Sequence, residues 1–536
     1  MTLRTRIRDR LTDGDDRLPL GLTLLCAAIA ATLVFPLTWL VIRAVAVERK
    51  RAMDLLFSAG TAEVLVNSLL LMAGVTAASI LIGVPLAYLT ARTDLPFRRF
   101  WSVAAALPLV VPSYVGAFSF VSAFGPQGAF HDILAPLGVE RVPNIYGLSG
   151  TIFVITLYTY PYVYLTTRAA LLSFDTTMIE AARTLNHGRI AAFRRVTLPT
   201  IRPAIAAGAL LSALYAVSDF GTPSIMQLPV FTRQIYVEYN SFGSDYAALL
   251  SLQLLVVVVL VLALEWAVRS NRNTSGDDAG QTDDRVSLGR LRWPATLLPA
   301  AVSGAALLVP LWILGLWLLR SESGRRPSLA FEPIMVVNSV SVSAAAAVVA
   351  ALAAIPIAYF AANYDSPFAV IFERATYVGF AVPGIVLALA LVYFGSGYAP
   401  WLYQTLPLLV FAYVVRFLPQ VVGSTRTSIL QIDRRLVEAA RTLGESSTGA
   451  FRRVTFPLTR SGIVAGAALV FLTTMKELPV TLVLRPTGFE TIVTQIWRAQ
   501  KSVFYQYAVV PTLILLLISG LSMVVLLTQE GGEEGL

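Results

Sequence analysis

Three ionisable side chains lie inside apolar stretches of the chain, where a charge is costly. Asp219 occurs in SDFGTPSIM (218–226), and the adjacent pair Lys476 and Glu477 occurs in TMKELPVTLVL (474–484). A charged side chain at the centre of a membrane helix costs about 2.5–3.5 kcal/mol on insertion scales, so it usually serves a path or pairs with another group. We predict that these three residues border a translocation path or its gate. The alternative is that Lys476 neutralises a nearby acid and only fixes helix packing.

Other kinds of chemical site have few residues to build them. The 536 residues include two histidines, His131 and His187, and one cysteine, Cys26. Haem, zinc and binuclear metal centres need more imidazole or thiolate ligands than this. We therefore expect no catalytic residue, no metal site and no cofactor, and the absence of a nucleophile motif also disfavours a membrane enzyme.

The composition is that of an integral membrane protein. Hydrophobic residues make up 56% of the chain, charged residues only 14%, and the mean hydropathy is +0.70. Soluble domains average about 25% charged residues. The net charge of +9 comes from arginines in short segments between apolar runs, which is typical of membrane topology rather than of nucleic-acid binding. We expect membrane lipid, and no nucleic acid, around this chain.

Twelve apolar runs are long enough to cross a bilayer as helices of about 20 residues. They lie near 20–42, 61–91, 100–124, 147–171, 203–222, 246–268, 295–319, 333–362, 375–396, 401–425, 461–484 and 503–527. Lysine and arginine predominate on the side of both termini, which predicts that both are cytoplasmic. The predicted order is a cytoplasmic segment (1–19), a first six-span half (20–268), a cytoplasmic linker (269–292), a second half (293–527) and a cytoplasmic tail (528–536).

The two halves are internal repeats. Of the 29 residues from Glu180 to Gly208, 17 are identical in the segment from Glu438 to Gly466, which lies 258 residues later. Asp219 and Glu477 are separated by the same offset. An even number of spans in each half gives both copies the same orientation, so we predict parallel repeats related by an axis along the membrane normal.

Each copy begins with a polar segment, EAARTLNHGRIAAFRRVTLP (180–199) or EAARTLGESSTGAFRRVTFP (438–457). An aspartate precedes each segment as a good N-cap, and Asn186 or Gly444 provides a residue that tolerates a left-handed C-terminal stop. The predicted helices are 176–185 and 434–443. A second short helix in each copy, 189–198 or 447–456, is predicted to end at Pro199 or Pro457.

The first helix of each segment has an apolar edge, formed in the second copy by Val437, Ala440 and Leu443. A short helix with an apolar edge and small residues suits docking into a groove of a partner. Packing on the protein's own spans is the alternative, but two copies with the same Glu-Ala-Ala and Phe-Arg-Arg favour a partner surface.

These segments resemble the EAA loop of permease subunits in binding-protein-dependent ABC importers, and the resemblance covers nearly the whole chain. The matching residues are Glu180, Ala181, Ala182 and Asn186 in the first copy, and Glu438, Ala439, Ala440 and Gly444 in the second. Asn186 departs from the usual glycine. The resemblance implies an all-α fold of the type I importer permease (MetI-like), in a prokaryotic plasma membrane. It also implies that the eight residues couple to two copies of a cytoplasmic ATPase and that an extracytoplasmic binding protein delivers the substrate.

The stretches DFGTP and KELPVTLVLRPTGFETIVTQIW resemble ferric-iron permeases, which implies inward transport of ferric iron by alternating access. Related permeases for thiamine and for phosphonates share the fused architecture and remain alternatives. The chain has no Walker loop, so ATP must be handled by another chain. A secondary transporter driven by an ion gradient is the alternative from a different class.

Overall fold

The computed structural model describes residues 19–125, 128–137, 144–173, 193–241, 243–270, 286–319 and 329–530. Within these ranges the regular structure is helical, and the extended pairing is a single bridge between Thr93 and Val286. The prediction of an all-α membrane protein is therefore confirmed.

The helices of the first half are numbered in chain order. They are α1 (Leu20–Val45), α2 (Arg49–Leu56), α3 (Ala59–Arg92), α4 (Arg98–Ala106), α5 (Ser113–Phe124), α6 (Ala129–Leu134), α7 (Leu148–Leu172), α8 (Leu198–Ser218), α9 (Gly221–Ile225), α10 (Phe231–Asn240) and α11 (Ser244–Ser270).

The second half continues this numbering. Its helices are α12 (Leu297–Ser303), α13 (Val309–Leu319), α14 (Ile334–Asn363), α15 (Pro367–Ala381), α16 (Gly384–Tyr398), α17 (Leu406–Leu430), α18 (Arg434–Thr442), α19 (Ser447–Ala450), α20 (Phe456–Met475), α21 (Pro479–Leu484), α22 (Ile492–Lys501) and α23 (Gln506–Glu530).

Within the described residues, eight helical stretches are long and apolar enough to cross a membrane, and ten if two bent pairs each count as one span. The predicted number of twelve is therefore not confirmed. The two remaining predicted runs are helical, but α7 is rich in threonine and tyrosine, and the described apolar part of α23 is Gln506–Leu521.

Two of the predicted straight spans are sharply bent. The run predicted at 100–124 is α4 followed by α5, at 90°, and the run predicted at 375–396 is α15 followed by α16, at 99°. Val111 and Val382 take extended backbone immediately before Pro112 and Pro383. A residue that precedes proline is pushed out of the helical region, so these two prolines set the bends.

Two further spans are interrupted near their ends. In the first half, α8 stops at Ser218, Asp219 is extended, and α9 starts at Gly221. In the second half, α20 stops at Met475 and α21 starts at Pro479. The first break begins at Asp219, two residues before Gly221, and Pro223 lies inside α9.

The chain divides into two compact units, and each contains helices from both predicted halves. One unit comprises the described parts of 1–42, 334–491 and 525–536, and the other those of 43–333 and 492–524. In the first of these units, Trp39 of α1 packs on Tyr398 of α16 with ring centroids 4.1 Å apart. In the other, the Trp317 indole of α13 donates to the Ser122 carbonyl of α5 at 3.1 Å.

The described end of the linker is fixed to the loop after α3. The Val286 amide donates to the Arg92 carbonyl at 2.8 Å, and the Leu288 amide donates to the Asp94 carboxylate at 2.8 Å. These bonds place the chain ahead of α12 on a defined part of the unit that holds α3.

Candidate functional site

The second polar segment forms the capped helix that the sequence predicts. The Asp433 carboxylate accepts from the Arg435 amide at 3.0 Å, which satisfies one of the free amides at the start of α18. The helix ends at Thr442, and Gly444 follows with φ +92°. Glycine reaches this conformation without a steric penalty, so Gly444 is the predicted left-handed stop.

The short helix that follows is different from the prediction. Ser447–Ala450 (α19) is its first turn, and a wide helical turn, Phe451–Thr455, continues it without a gap into α20. Pro457 therefore follows the wide turn inside a continuous helical stretch and does not end the short helix.

The outer surface of α18 is not covered by the described parts of the chain. Leu436 is 51% exposed and Leu443 is 86% exposed, and Glu438 and Ala439 are also exposed. The segment is anchored at its far end, where the Phe451 ring packs edge-on against Tyr359 of α14 at 5.2 Å. Leu436 and Leu443, beside small residues, thus give α18 an exposed apolar edge.

The first polar segment lies largely outside the described residues. This applies to Glu180, Ala181, Ala182 and Asn186. The described part resumes at Phe193, where Phe193–Thr197 forms the same wide turn and α8 begins at Leu198 with Pro199 in its first turn. The ends of the two polar segments thus enter their spans in the same way.

Asp219 occupies the break between α8 and α9 and is only partly buried. Its carboxylate accepts from the Ser113 hydroxyl at 2.9 Å and from the Gly221 amide at 3.1 Å. The Tyr215 hydroxyl in turn donates to Ser113 at 3.0 Å, and the Thr232 hydroxyl donates to the Asp219 carbonyl at 2.7 Å. All of these donors are neutral.

Glu477, at the equivalent position of the other break, has a charged partner. Its carboxylate lies 3.4 Å from Nε of Arg416 on α17, and both side chains are largely buried, with 8% and 17% exposure. The Val480 amide donates to the same carboxylate at 3.4 Å, and the Thr481 hydroxyl donates to the Glu477 carbonyl. Lys476, next to Glu477 at the end of α20, is half-buried.

The room for the Arg416 guanidinium is provided by Gly384, the first residue of α16. A Cβ at Gly384 would lie 2.3 Å from Nη1 of Arg416 and 2.7 Å from Oε1 of Glu477. Gly384 follows Ser113 by 271 residues, the same offset that separates Pro112 and Pro383 at the two bends. In the first half, Ser113 donates to the Asp219 carboxylate. Its counterpart in the second half, Gly384, instead makes space for Arg416.

Arg416 likewise has a counterpart. The helices α7 and α17 begin and end at the same offset of 258, which aligns Arg416 with Tyr158. Tyr158 is buried against Gly116, and its hydroxyl donates to the Ala306 carbonyl at 3.2 Å rather than to Asp219. The sequence reasoning missed both Arg416 and Ser113. The available signal was an arginine inside the apolar run predicted at 401–425.

A cluster of aromatic rings follows Asp219 directly. The Phe220 ring lies 5.0 Å from Tyr236 of α10 and 5.3 Å from Trp497 of α22, and the Lys501 ammonium lies 5.1 Å above Tyr236 and 5.5 Å above Trp497. Burial lowers the pKa of Lys501, and the nearby Arg233 guanidinium lowers it further. The rings and the cation hold α9, α10 and α22 together next to the break.

Comparison with known protein families gives two matches along the chain. Residues 79–271 and again residues 354–529 match the family described as binding-protein-dependent transport system inner membrane component. Each match contains one polar segment and one of the breaks at Asp219 and Glu477.

Three curated proteins illustrate the similarity. The Fe(3+)-transport system permease protein FbpB 2 of Haemophilus influenzae is 31% identical over 95% of this chain and 98% of its own length. The probable ABC transporter permease protein y4fN of Sinorhizobium fredii is 27% identical over 81% of each chain. The probable molybdenum ABC transporter permease protein HVO_B0370 of Haloferax volcanii is 32% identical over 37% of this chain and 71% of its own length.

Proposed function

This chain belongs to the family of binding-protein-dependent transport system inner membrane components, and on that premise we propose that it carries ferric iron inward. The chain is a permease subunit of an ABC importer and a multi-pass inner-membrane protein, and such subunits act with an ATPase and a substrate-binding protein. The proposal has three further parts: the cargo is iron, two copies of the ATPase bind, and both termini are cytoplasmic.

Iron is proposed because the Fe(3+)-transport permease of Haemophilus influenzae matches this chain along nearly its whole length. The iron permease covers 95% of this chain, whereas the molybdenum permease covers 37%. The residues at the first break agree with a cation, because the Asp219 carboxylate and the adjacent Ser113 hydroxyl supply oxygen atoms, and hard cations prefer oxygen ligands. Thiamine and phosphonates remain the alternative substrates for a permease of this architecture.

The coupling surface is assigned to the two polar segments. In the second segment, exposed Leu443 and exposed Glu438, with α18 fixed by its cap and its stop, support a helix that docks into an ATPase. We assign Glu180, Ala181, Ala182 and Asn186, and Glu438, Ala439, Ala440 and Gly444, to this surface. One segment per half leads to two ATPase copies per chain.

The translocation path is assigned to the broken spans. Backbone that leaves the helical conformation at membrane depth is tolerated where it is buried in protein or lines a cavity. Asp219, Lys476 and Glu477 lie at such breaks. We assign all three to the border of the path, and the closure of the ATPase pair moves the spans so that the path opens alternately to each side.

A transport assay tests the function as a whole. The chain is purified with its ATPase, reconstituted in proteoliposomes and supplied with the cognate binding protein loaded with radioactive Fe(III), with the ion gradients collapsed. ATP-dependent accumulation of iron is the expected result. Uptake that continues without ATP would refute the ABC mechanism, and ATP-dependent uptake of thiamine or a phosphonate but not of iron would refute the substrate.

A second experiment tests the coupling surface. The double variant Glu180→Arg/Glu438→Arg is expected to lose co-purification with the ATPase while its own expression stays normal. Glu332→Arg, a charge reversal at an exposed glutamate outside both polar segments, is the matched control and should keep the ATPase. Retention of the ATPase by the double variant would contradict the assignment of these segments.

A further inference from the structure

The acids at the two equivalent breaks, Asp219 and Glu477, differ in whether a positively charged side chain pairs with them. Arg416 lies against the Glu477 carboxylate, so this acid and its partner form a neutral buried pair. The hydrogen bonds to the Asp219 carboxylate come from a hydroxyl and an amide, and among the described residues no lysine or arginine forms an ion pair with it. Within the described part of the chain, the first break thus holds a carboxylate without a positively charged partner, whereas the acid at the second break belongs to a neutral pair.

A second observation points to a ligand at Asp219. The Thr222 side chain is fully buried beside the Asp219 carboxylate, and within the described residues its hydroxyl oxygen has no hydrogen-bond partner of acceptable geometry. Buried polar atoms in native proteins are nearly always paired, and an exception calls for an explanation such as a bound ion or water. The Thr222 hydroxyl oxygen and the Asp219 carboxylate thus lie next to each other.

Asp219 is also the more accessible of the two acids. It is partly exposed, while Glu477 is buried and its guanidinium partner fills the space left by Gly384. A cation that approached Glu477 would have to displace Arg416 from a low-dielectric site, which leaves a charge buried without a partner. At Asp219 the same cation would complete an oxygen cluster.

From this geometry we infer that Asp219, together with the Thr222 hydroxyl, is the point of the path that contacts a hard cation, whereas Glu477 acts only by holding Arg416. The inference rests on the proposed function and makes it more specific, because it assigns unequal roles to two acids that the repeat makes equivalent. Glu477 is then a positioning residue that fixes α17 against the break between α20 and α21.

The test uses the reconstituted complex with the binding protein loaded with radioactive Fe(III). Asp219→Asn keeps the acceptor for Ser113 and is expected to lower iron uptake at least tenfold, while stimulation of the ATPase by the binding protein is retained. Thr222→Val, which has the same shape and removes only the hydroxyl, is expected to lower uptake several-fold. If Asp219→Asn fails to assemble, Thr222→Val decides the question alone, and uptake at the wild-type rate by either assembled variant would overturn the inference.

The positioning role of Glu477 has its own readout. Glu477→Gln leaves Arg416 without its partner and is expected to lower the yield and the melting temperature of the complex. The double variant Arg416→Met/Glu477→Gln removes both charges and is expected to recover them. A double variant no more stable than Glu477→Gln would overturn the assignment.

Absence of iron uptake by the wild-type complex would instead refute the proposed function, so the two failures are distinguishable.

Discussion

Replacing Gly384 by alanine tests whether the break between α20 and α21 depends on the Arg416–Glu477 pair. The added methyl group would lie 2.3 Å from Nη1 of Arg416, 2.7 Å from Oε1 of Glu477 and 3.0 Å from Cζ of Arg416. Ile385 and Val386, which follow it in α16, are fully buried, so the helix cannot shift away easily. The guanidinium must leave its position.

The size of the effect follows from these contacts. A methyl group forced into a packed core costs about 1–3 kcal/mol, and breaking a buried ion pair by displacing one partner costs about 3–5 kcal/mol. The gain from replacing glycine by alanine in a helix interior is at most about 1 kcal/mol. We therefore expect Gly384→Ala to lower the free energy of unfolding by at least about 2 kcal/mol, because the clash and the loss of the pair outweigh the helix propensity.

The same helix supplies a matched control. A Cβ at Gly397, also in α16, meets no atom within 4 Å, so Gly397→Ala should be neutral or slightly stabilising. Both variants are unfolded thermally in nanodiscs of one lipid composition. Gly384→Ala is also combined with Arg416→Met/Glu477→Gln, where its cost should fall because the clashing groups are gone. Equal melting temperatures for the two alanine variants, or an undiminished cost in the combined background, would refute the reasoning.

Three other predictions concern the second polar segment and the first span. Asp433→Ala removes the cap of α18, which should destabilise this helix by about 1 kcal/mol and speed amide hydrogen exchange at its start. The control, Ser446→Ala, removes the cap of α19 instead and should leave the exchange at the start of α18 unchanged. Gly444 has φ +92°, so Gly444→Ala should strain the backbone at the end of α18 by about 1–2 kcal/mol and weaken co-purification of the ATPase. Gly444→Asn should retain an amount of ATPase between those of the wild type and the alanine variant. Equal retention of the ATPase by both variants would argue against a conformational role of Gly444. Trp39→Ala removes aromatic pairs worth about 0.5–1.5 kcal/mol each and should lower the melting temperature, whereas Trp401→Ala, at a 79% exposed position, should not.

Helices that depend on local sequence were predictable. The apolar runs gave the positions of α1, α3, α11 and α14 to within a few residues, because run length alone decides whether a helix can cross a bilayer. The cap at Asp433 was predictable for the same reason, since it involves neighbouring residues. The bends at Pro112 and Pro383 were also encoded locally, and they were missed because an apolar run was given more weight than the proline inside it.

The charge pairing was not predictable from neighbouring residues. The sequence suggests Lys476 as the partner of a nearby acid, because it directly precedes Glu477. The observed partner of Glu477 is Arg416, 61 residues earlier on another helix, and it reaches the carboxylate only because Gly384 on a third helix has no side chain. Such a contact depends on the packing of three helices and is visible in the sequence only as an arginine inside an apolar run.

The fusion of two halves in one chain gives a physical reason for the unequal acids. In a permease made of two identical subunits, a change at one copy of a position is necessarily made at both. An arginine opposite each acid would then neutralise both breaks, and a serine opposite each would leave both uncompensated. In a fused chain the positions of Ser113 and Gly384 are free to differ, so one break can keep an uncompensated carboxylate while the other gains a buried pair. Cation contact and structural rigidity, which place opposite demands on a buried acid, are thereby assigned to different halves.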